Sequence, residues 1–447
     1  MSLTLNSQAA PPGWAHSTRR AWLITAMLAL FMLINWGDKS VLGLTARALM
    51  KDLGLTPSQY GLIASSFFFL FGIGTVLGGF LVDRIKTKPM LLVMAVVWAL
   101  VQFPVLGGAS FAVLLVSRIV LGLAEGPATP VALHAVMKWF PDERRDLPNS
   151  IVLAASGLGL LVAAPVMAFV QVHWGWRWCF GVLGIAGLVW AAVWLLVGRE
   201  GPYDKPVSTA APELDGAATA PDVAGSASDV IGRVSYWRLF ATRTWVCFAL
   251  AGFGCYFVTA LLTTWLPTYL ESVREISTIS TGNWIAATAA TGAIAMFGQG
   301  VVSRMLIARG IPTRWARAGV AGIAVVIAGL CMVGFVFTDG TLQLILMLPA
   351  FNLFTATFPA SSAAVAQITP VAQRGAVLGV LFAFLGAAGV IAPFLAGRLI
   401  QAAHQPASGY HTAFLIGAAL LIVSGLAVAL LANPDRDAVH LAERKAH

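Results

Sequence analysis

The sequence predicts an all-α membrane protein of twelve spanning helices in two groups of six, with both termini cytoplasmic. Three observations predict it. Of 447 residues, 58% are hydrophobic and only 11% charged, against roughly 25% charged in a soluble domain. The mean hydropathy of +0.82 needs long apolar segments to sustain it, and nothing between them is large enough for a separate catalytic domain. Basic residues are also unevenly distributed among the loops. A soluble globular protein is excluded. The net charge of +9 would in isolation suggest nucleic acid, but it sits in short loops, where membrane topology explains it better. No nucleic-acid partner is expected.

In chain order, residues 1–19 read as a cytoplasmic tail, because Pro11, Pro12 and Gly13 precede the first charges and no short apolar stretch ends in a small-residue cleavage site. A bilayer core of about 30 Å needs about 20 apolar residues per helix. Runs of that kind fall at 20–45, 59–82, 89–107, 111–138, 148–172 and 177–198, forming an N-terminal bundle over 20–198. Residues 199–242 read as a cytoplasmic linker, since Pro206 to Ser228 is rich in Ala, Gly, Ser, Pro and Asp without apolar periodicity. Six more runs, at 243–270, 283–303, 316–337, 341–368, 375–400 and 410–432, form a C-terminal bundle over 243–432. A cytoplasmic tail over 433–447 completes the chain.

Of the 28 Lys and Arg residues, 21 fall in the tails and even-numbered loops, whereas the odd-numbered loops hold Arg47, Lys51, Arg177, Arg274 and Arg398. An excess of Lys and Arg marks the cytoplasmic side, which places both termini there. The remaining two, Lys39 and Arg118, lie within spans.

A charge at the bilayer centre costs roughly 2.5–3.5 kcal/mol on insertion scales, so such residues are functional candidates by default. The first run carries Asn35, Asp38 and Lys39, and the fourth carries Arg118 and Glu125. Arg118 and Glu125 are seven residues apart, on one helix face two turns apart, and that face must look into the protein. Asp38 and Lys39 are adjacent and point about 100° apart, so each needs a partner on another helix. One reading is a structural ion-pair network that fixes helix register. In the functional reading the bases bind an anion and the acids carry protons. His134, roughly 180° around the helix from Glu125, reads as a packing histidine.

The second half offers neutral groups at membrane depth, Thr259, Gln299, Gln343, Asn352 and Ser361 among them. Gly157, Gly159 and Pro165 in the fifth run, with Gly379, Gly386, Gly389 and Pro393 in the eleventh, allow close approach or bending. The four cysteines lie in apolar runs without metal or disulfide spacing. No nucleophile–base constellation, metal cluster or phosphate loop stands out, so no enzyme, metal or cofactor is expected.

The stretch from Gly79 through Asp83 and Arg84 to Lys88 resembles the cytoplasmic loop signature of the major facilitator superfamily, Gly-x-Leu-x-Asp-Arg-x-Gly-Arg-Lys, with Lys86 in place of the second glycine and Thr87 in place of a basic residue. In that family the loop helps lock the two halves together when the outside is open. Further similarity runs through Asn35 to Lys39, Arg118 to Gly126, Lys138-Trp139-Phe140-Pro141, Gly175 to Trp178, and Thr264-Trp265-Leu266-Pro267. Together these resemble the anion:cation symporter family, which includes bacterial organic-acid and sugar-acid importers and the vesicular glutamate and lysosomal sialic acid transporters. The resemblance implies the major facilitator fold.

It also implies roles. Asp38 and Glu125 match acidic positions of proton coupling, and Arg118 matches the membrane arginine near the site. Lys39 stands where most members have Arg, which keeps the charge but loses the planar fork for a carboxylate. Asn35, Phe71, Tyr256 and Asn352 are the further expected substrate contacts. Phe71 replaces a Tyr of sugar-acid members and Thr75 a Gln, while Phe382 and Gly386 stand where polar Asn is expected. A site that bonds hydroxyls should keep such partners, so a smaller or less polar carboxylate than a hexonate is expected. The expected function is import of a small organic carboxylate with protons by alternating access, by a monomer in a bacterial inner membrane. An exporter or antiporter on the same fold, or a transport-inactive sensor using the central loop, are the alternatives.

Overall fold

The computed structural model describes residues 14–82, 84–141, 144–203, 234–312, 314–370 and 373–443. Among these residues twelve helices are long and apolar enough to cross a membrane, and no strand forms. The first six are Thr18–Leu44, Pro57–Gly78, Thr87–Gly108, Phe111–Met137, Asp146–Trp174 and Trp176–Val197. The second six are Arg243–Thr264, Thr278–Ala308, Arg314–Phe337, Gly340–Ile368, Ala376–Ala402 and Pro406–Leu431. Most of the expected tail (1–13), the centre of the expected linker (204–233), residues 444–447 and the loop residue Asp83 lie outside the described residues.

Hydroxyl caps set several helix starts. Ser110 accepts from the Val113 N–H, Thr242 from that of Trp245 and Ser277 from that of Ser280, each satisfying a donor that a first helical turn leaves open. The fifth and sixth spans are separated by Gly175 alone, whose φ of +87° suits glycine.

Four spans are not continuous α-helices, the ninth because it opens with a π-helical stretch at Arg314–Gly319. The seventh, expected over 243–270, ends at Thr264, and a separate helix Leu266–Ser272 follows. Pro267 has no N–H to donate to the Thr263 carbonyl, which breaks the ladder there. The fourth is interrupted at Gly126–Pro127, and the tenth passes through a 3-10 turn at Leu353–Ala356.

Within the first half, the first span packs on the fifth, the second on the fourth and the third on the sixth; in the second half, the seventh packs on the eleventh and twelfth, and the ninth on the twelfth. The two most extensive pairings between halves are second with eleventh and fifth with eighth, and the first span also meets the seventh. The hydrogen bonds that cross cluster at the end carrying the odd-numbered loops. There the Tyr60 hydroxyl lies 3.1 Å from both the Leu42 and Thr264 carbonyls, and Ser65 Oγ accepts from the Phe394 N–H at 3.0 Å. Arg47 donates to the Glu271 carbonyl at 2.8 Å. At Gly43 a Cβ would stand 1.8 Å from the Thr263 oxygen, the carbonyl that Pro267 leaves without an N–H. One end is therefore sealed by backbone packed on backbone.

Candidate functional site

The four charged residues expected at membrane depth, Asp38, Lys39, Arg118 and Glu125, come together in the first half, on the first and fourth helices, as two linked clusters. Glu125 ends the helix segment before the Gly126–Pro127 break. Arg118 lies two turns earlier on the same face, and both are buried, as is Asp38. Lys39 Nζ donates to Asn35 Oδ1 at 2.7 Å and stands 3.6 Å from Glu125 Oε2. Trp36 and Phe71 flank it, their ring centroids 5.2 and 5.3 Å from Nζ, which returns part of the hydration the ammonium loses. The expected contacts Asn35 and Phe71 are thus both lysine partners.

Asp38 faces the other way, as the 100° offset requires. Its Oδ1 accepts from Gln102 Nε2 at 2.7 Å, and Gln102 Oε1 accepts from Arg118 Nη2 at 3.2 Å. Arg118 Nη1 reaches the backbone oxygen of Asp38 at 3.2 Å, and its guanidinium lies over the Phe180 ring at 5.3 Å. Gln102 is one residue that sequence reasoning missed. A neutral amide raises no charge signal, although it is the one strongly polar side chain well inside the third span.

Lys39 and Arg118 line a narrow cavity between the halves, with Trp36, Phe68, Tyr256, Thr259 and Thr263. Its volume of about 40 Å³ is far below the roughly 300–1,000 Å³ of a small-molecule pocket, so a carboxylate group fits there more readily than a whole organic acid. The Thr259 and Thr263 hydroxyls already donate to the Cys255 and Thr259 carbonyls at 2.9 and 3.0 Å. Tyr256, an expected substrate contact, lies in the cavity wall. Asn352 does not line this cavity; it lies against Gly292 at the break in the tenth span. Thr75 donates to the Phe71 and Gly126 carbonyls.

At the opposite end from the seal, the loop signature is anchored by a residue the sequence did not single out. Glu200 accepts from Thr87 Oγ1, the Lys88 N–H and Lys138 Nζ at 2.9, 2.8 and 3.1 Å. Lys88 also donates to the Leu195 carbonyl, while Arg84 is exposed. Gly79 lies in the last turn of the second helix, Pro57–Val82.

The Major Facilitator Superfamily profile matches residues 28–352 and 313–446. The chain belongs to the Major Facilitator Superfamily. Similar members of the superfamily span nearly the whole length. A "Hexuronate transporter" of Bacillus subtilis is 28% identical, covering 92% of this chain and 95% of the relative. A "Probable galactarate/D-glucarate transporter GudP" of Bacillus subtilis is 26% identical, with 96% and 95% covered. A "Probable sulfoacetate transporter SauU" of Cupriavidus necator is 27% identical, with 92% and 94% covered. Solved structures share the fold. A bacterial homologue of the human lysosomal transporter Spinster, inward-facing and occupied, aligns with TM-score 0.74 at 18% identity over 95% of this chain and 97% of that one. A D-xylose–proton symporter aligns with TM-score 0.73 at 16% identity over 93% and 99%. This member of the superfamily is a transport protein, not an enzyme, and its sequence motifs place it with the organic-acid relatives.

Proposed function

We propose that the chain imports a small organic carboxylate together with protons, by alternating access between its halves. One observation carries this reading: two buried acids and two bases occupy one half at membrane depth, and both bases line the cavity between the halves. Lys39 and Arg118 receive the carboxylate. Glu125 beside Lys39, and Asp38 behind Arg118, carry the protons. The proton is the coupling ion, and no cofactor takes part. With residues 1–19, 199–242 and 433–447 in the cytoplasm of a bacterial inner membrane, the sealed end faces outward, and the carrier works as a monomer.

The relatives named for sugar acids support an organic anion. Aromatic rings at Trp36, Phe68 and Tyr256, and threonine hydroxyls committed to carbonyls, favour a body with fewer hydroxyls than a hexonate. Uptake into proteoliposomes under an inward proton gradient, across sugar acids, dicarboxylates, aromatic acids and sulfoacetate, tests both points. Accumulation of one class is expected in the wild type and is lost in Glu125→Gln, which retains gradient-independent exchange. Unaltered accumulation in Glu125→Gln overturns its role, and exchange alone in the wild type points to an antiporter.

A further inference from the structure

Asp38 and Arg118 do not meet charge to charge. Arg118 takes the peptide oxygen of Asp38, and the Gln102 amide stands between the carboxylate and the guanidinium, all three side chains being buried. The orientation of that amide follows from its neighbours. An ionised carboxylate only accepts and a guanidinium only donates, whereas a primary amide donates at one end and accepts at the other. Ionised Asp38 therefore requires Nε2 toward itself and leaves Oε1 for Arg118.

A proton on Asp38 reverses the demand. The new O–H must find an acceptor, since a buried donor without one is costly. Gln102 Oε1 is within the same amide. Whether the amide turns over or closes into a two-bond acid–amide pair, Oε1 is drawn toward Asp38 and away from Arg118. Arg118 Nε has no partner, so the loss of Oε1 leaves the guanidinium held by the Asp38 peptide oxygen and free to turn into the cavity it already lines.

We propose that Gln102 is a positioning residue that transmits the protonation state of Asp38 to Arg118: the ionised acid holds the guanidinium back through the amide, and the protonated acid releases it toward the anion. This rests on the reading of Arg118 as an anion-binding group. It gives the order of events, proton before anion, through one neutral side chain.

The charged groups facing Asp38 are Lys39 on its own span and Arg118 and Glu125 on the fourth. The fifth, sixth and seventh spans bring no charge to this depth, since Asp146, His173, Arg177 and Arg243 stand at their ends. The other titratable side chains within these spans are His134, the thiols of Cys179, Cys247 and Cys255, and the phenols of Tyr60 and Tyr256.

The test uses the full chain in nanodiscs, with p-hydroxyphenylglyoxal as the probe and modification of the Arg118 peptide read by mass spectrometry at one fixed alkaline pH. Asp38→Asn, which removes the charge permanently, is expected to speed Arg118 modification several-fold. In a Gln102→Met background modification is fast with either residue at position 38. An unchanged several-fold effect of Asp38→Asn in that background overturns the proposal, because the charge then acts directly. So does no effect of Asp38→Asn with Gln102 present. A measurement on the unmutated chain guards against a misfolded variant. Isotope-edited infrared spectra should show a side-chain amide carbonyl band shifting as the buried carboxyl titrates, and a pH-invariant amide overturns the proposal. Both readouts are independent of uptake, so failure of every transport assay would remove the transport reading and leave the Gln102 result standing or falling by itself.

Discussion

Glu125 illustrates how a buried charge is held with little to spare. Neither of its oxygens has a hydrogen-bond donor, and the Lys39 ammonium at 3.6 Å is its compensation. Removing one partner of such a pair leaves an uncompensated buried charge, which costs roughly 3–5 kcal/mol. Lys39→Met should lower stability by about that much in thermal or denaturant unfolding. Adding Glu125→Gln should restore most of it, since the two sites share one interaction. Near the sealed end, burial raises the pKa of Glu271, against smaller opposing effects of the Thr278 hydroxyl and Arg47. The folded form therefore binds the proton more tightly than the unfolded chain. Its contribution is full below the ordinary carboxylate range and is lost as pH rises through the raised value. Glu271→Gln should flatten that decline in a pH series of melting temperatures. At this scale the four charges were legible because each is costly in an apolar run. Gln102 and Glu200 were not, the first being neutral and the second lying among ordinary loop charges.

The elements show where hydropathy is informative and where it is blind. All twelve spans follow from apolar length, but a hydropathy window does not register a chain break among residues that stay apolar. Trp265-Leu266-Pro267 reads as continuous helix by composition and is not one. The small-residue pattern divides similarly. Gly159 lies against Trp36 and Gly389 against Phe68, whereas a Cβ added at Gly157, Gly379 or Gly386 would meet no described residue within 4 Å beyond its own helix. Glu200, just beyond the sixth span, ties the start of the third to the end of the fourth through three donors. Glu200→Ala removes the acceptor that ties those donors together and should cost about 2 kcal/mol in unfolding. Measured stability equal to wild type would show that water replaces it.

For the whole molecule, two six-helix halves follow from the apolar runs and the linker between them, but which end is closed does not, because closure depends on contacts between residues hundreds of positions apart. Gly43 on Thr263 is the tightest of these. A methyl group there meets a backbone carbonyl that cannot yield as a side chain would. Gly43→Ala should shift the protein toward the form open at the odd-loop end. Spin labels at Lys51 and His404, both exposed on that end, should report a longer distance by electron–electron resonance, and an unchanged distance would show that the seal accommodates the methyl.

Two acids and two bases in one half also add up to nothing electrically. When all four are ionised their formal charges cancel, so an empty carrier in the proposed cycle would reorient without moving net charge through the membrane field. One proton and one monovalent anion again sum to zero. Only a further proton makes the step sensitive to voltage, by about 2.3 kcal/mol per elementary charge per 100 mV. The current per anion transported would then count the protons carried in excess of the anion's own charge, so that an electrically silent uptake of a monocarboxylate would mean one proton and no more.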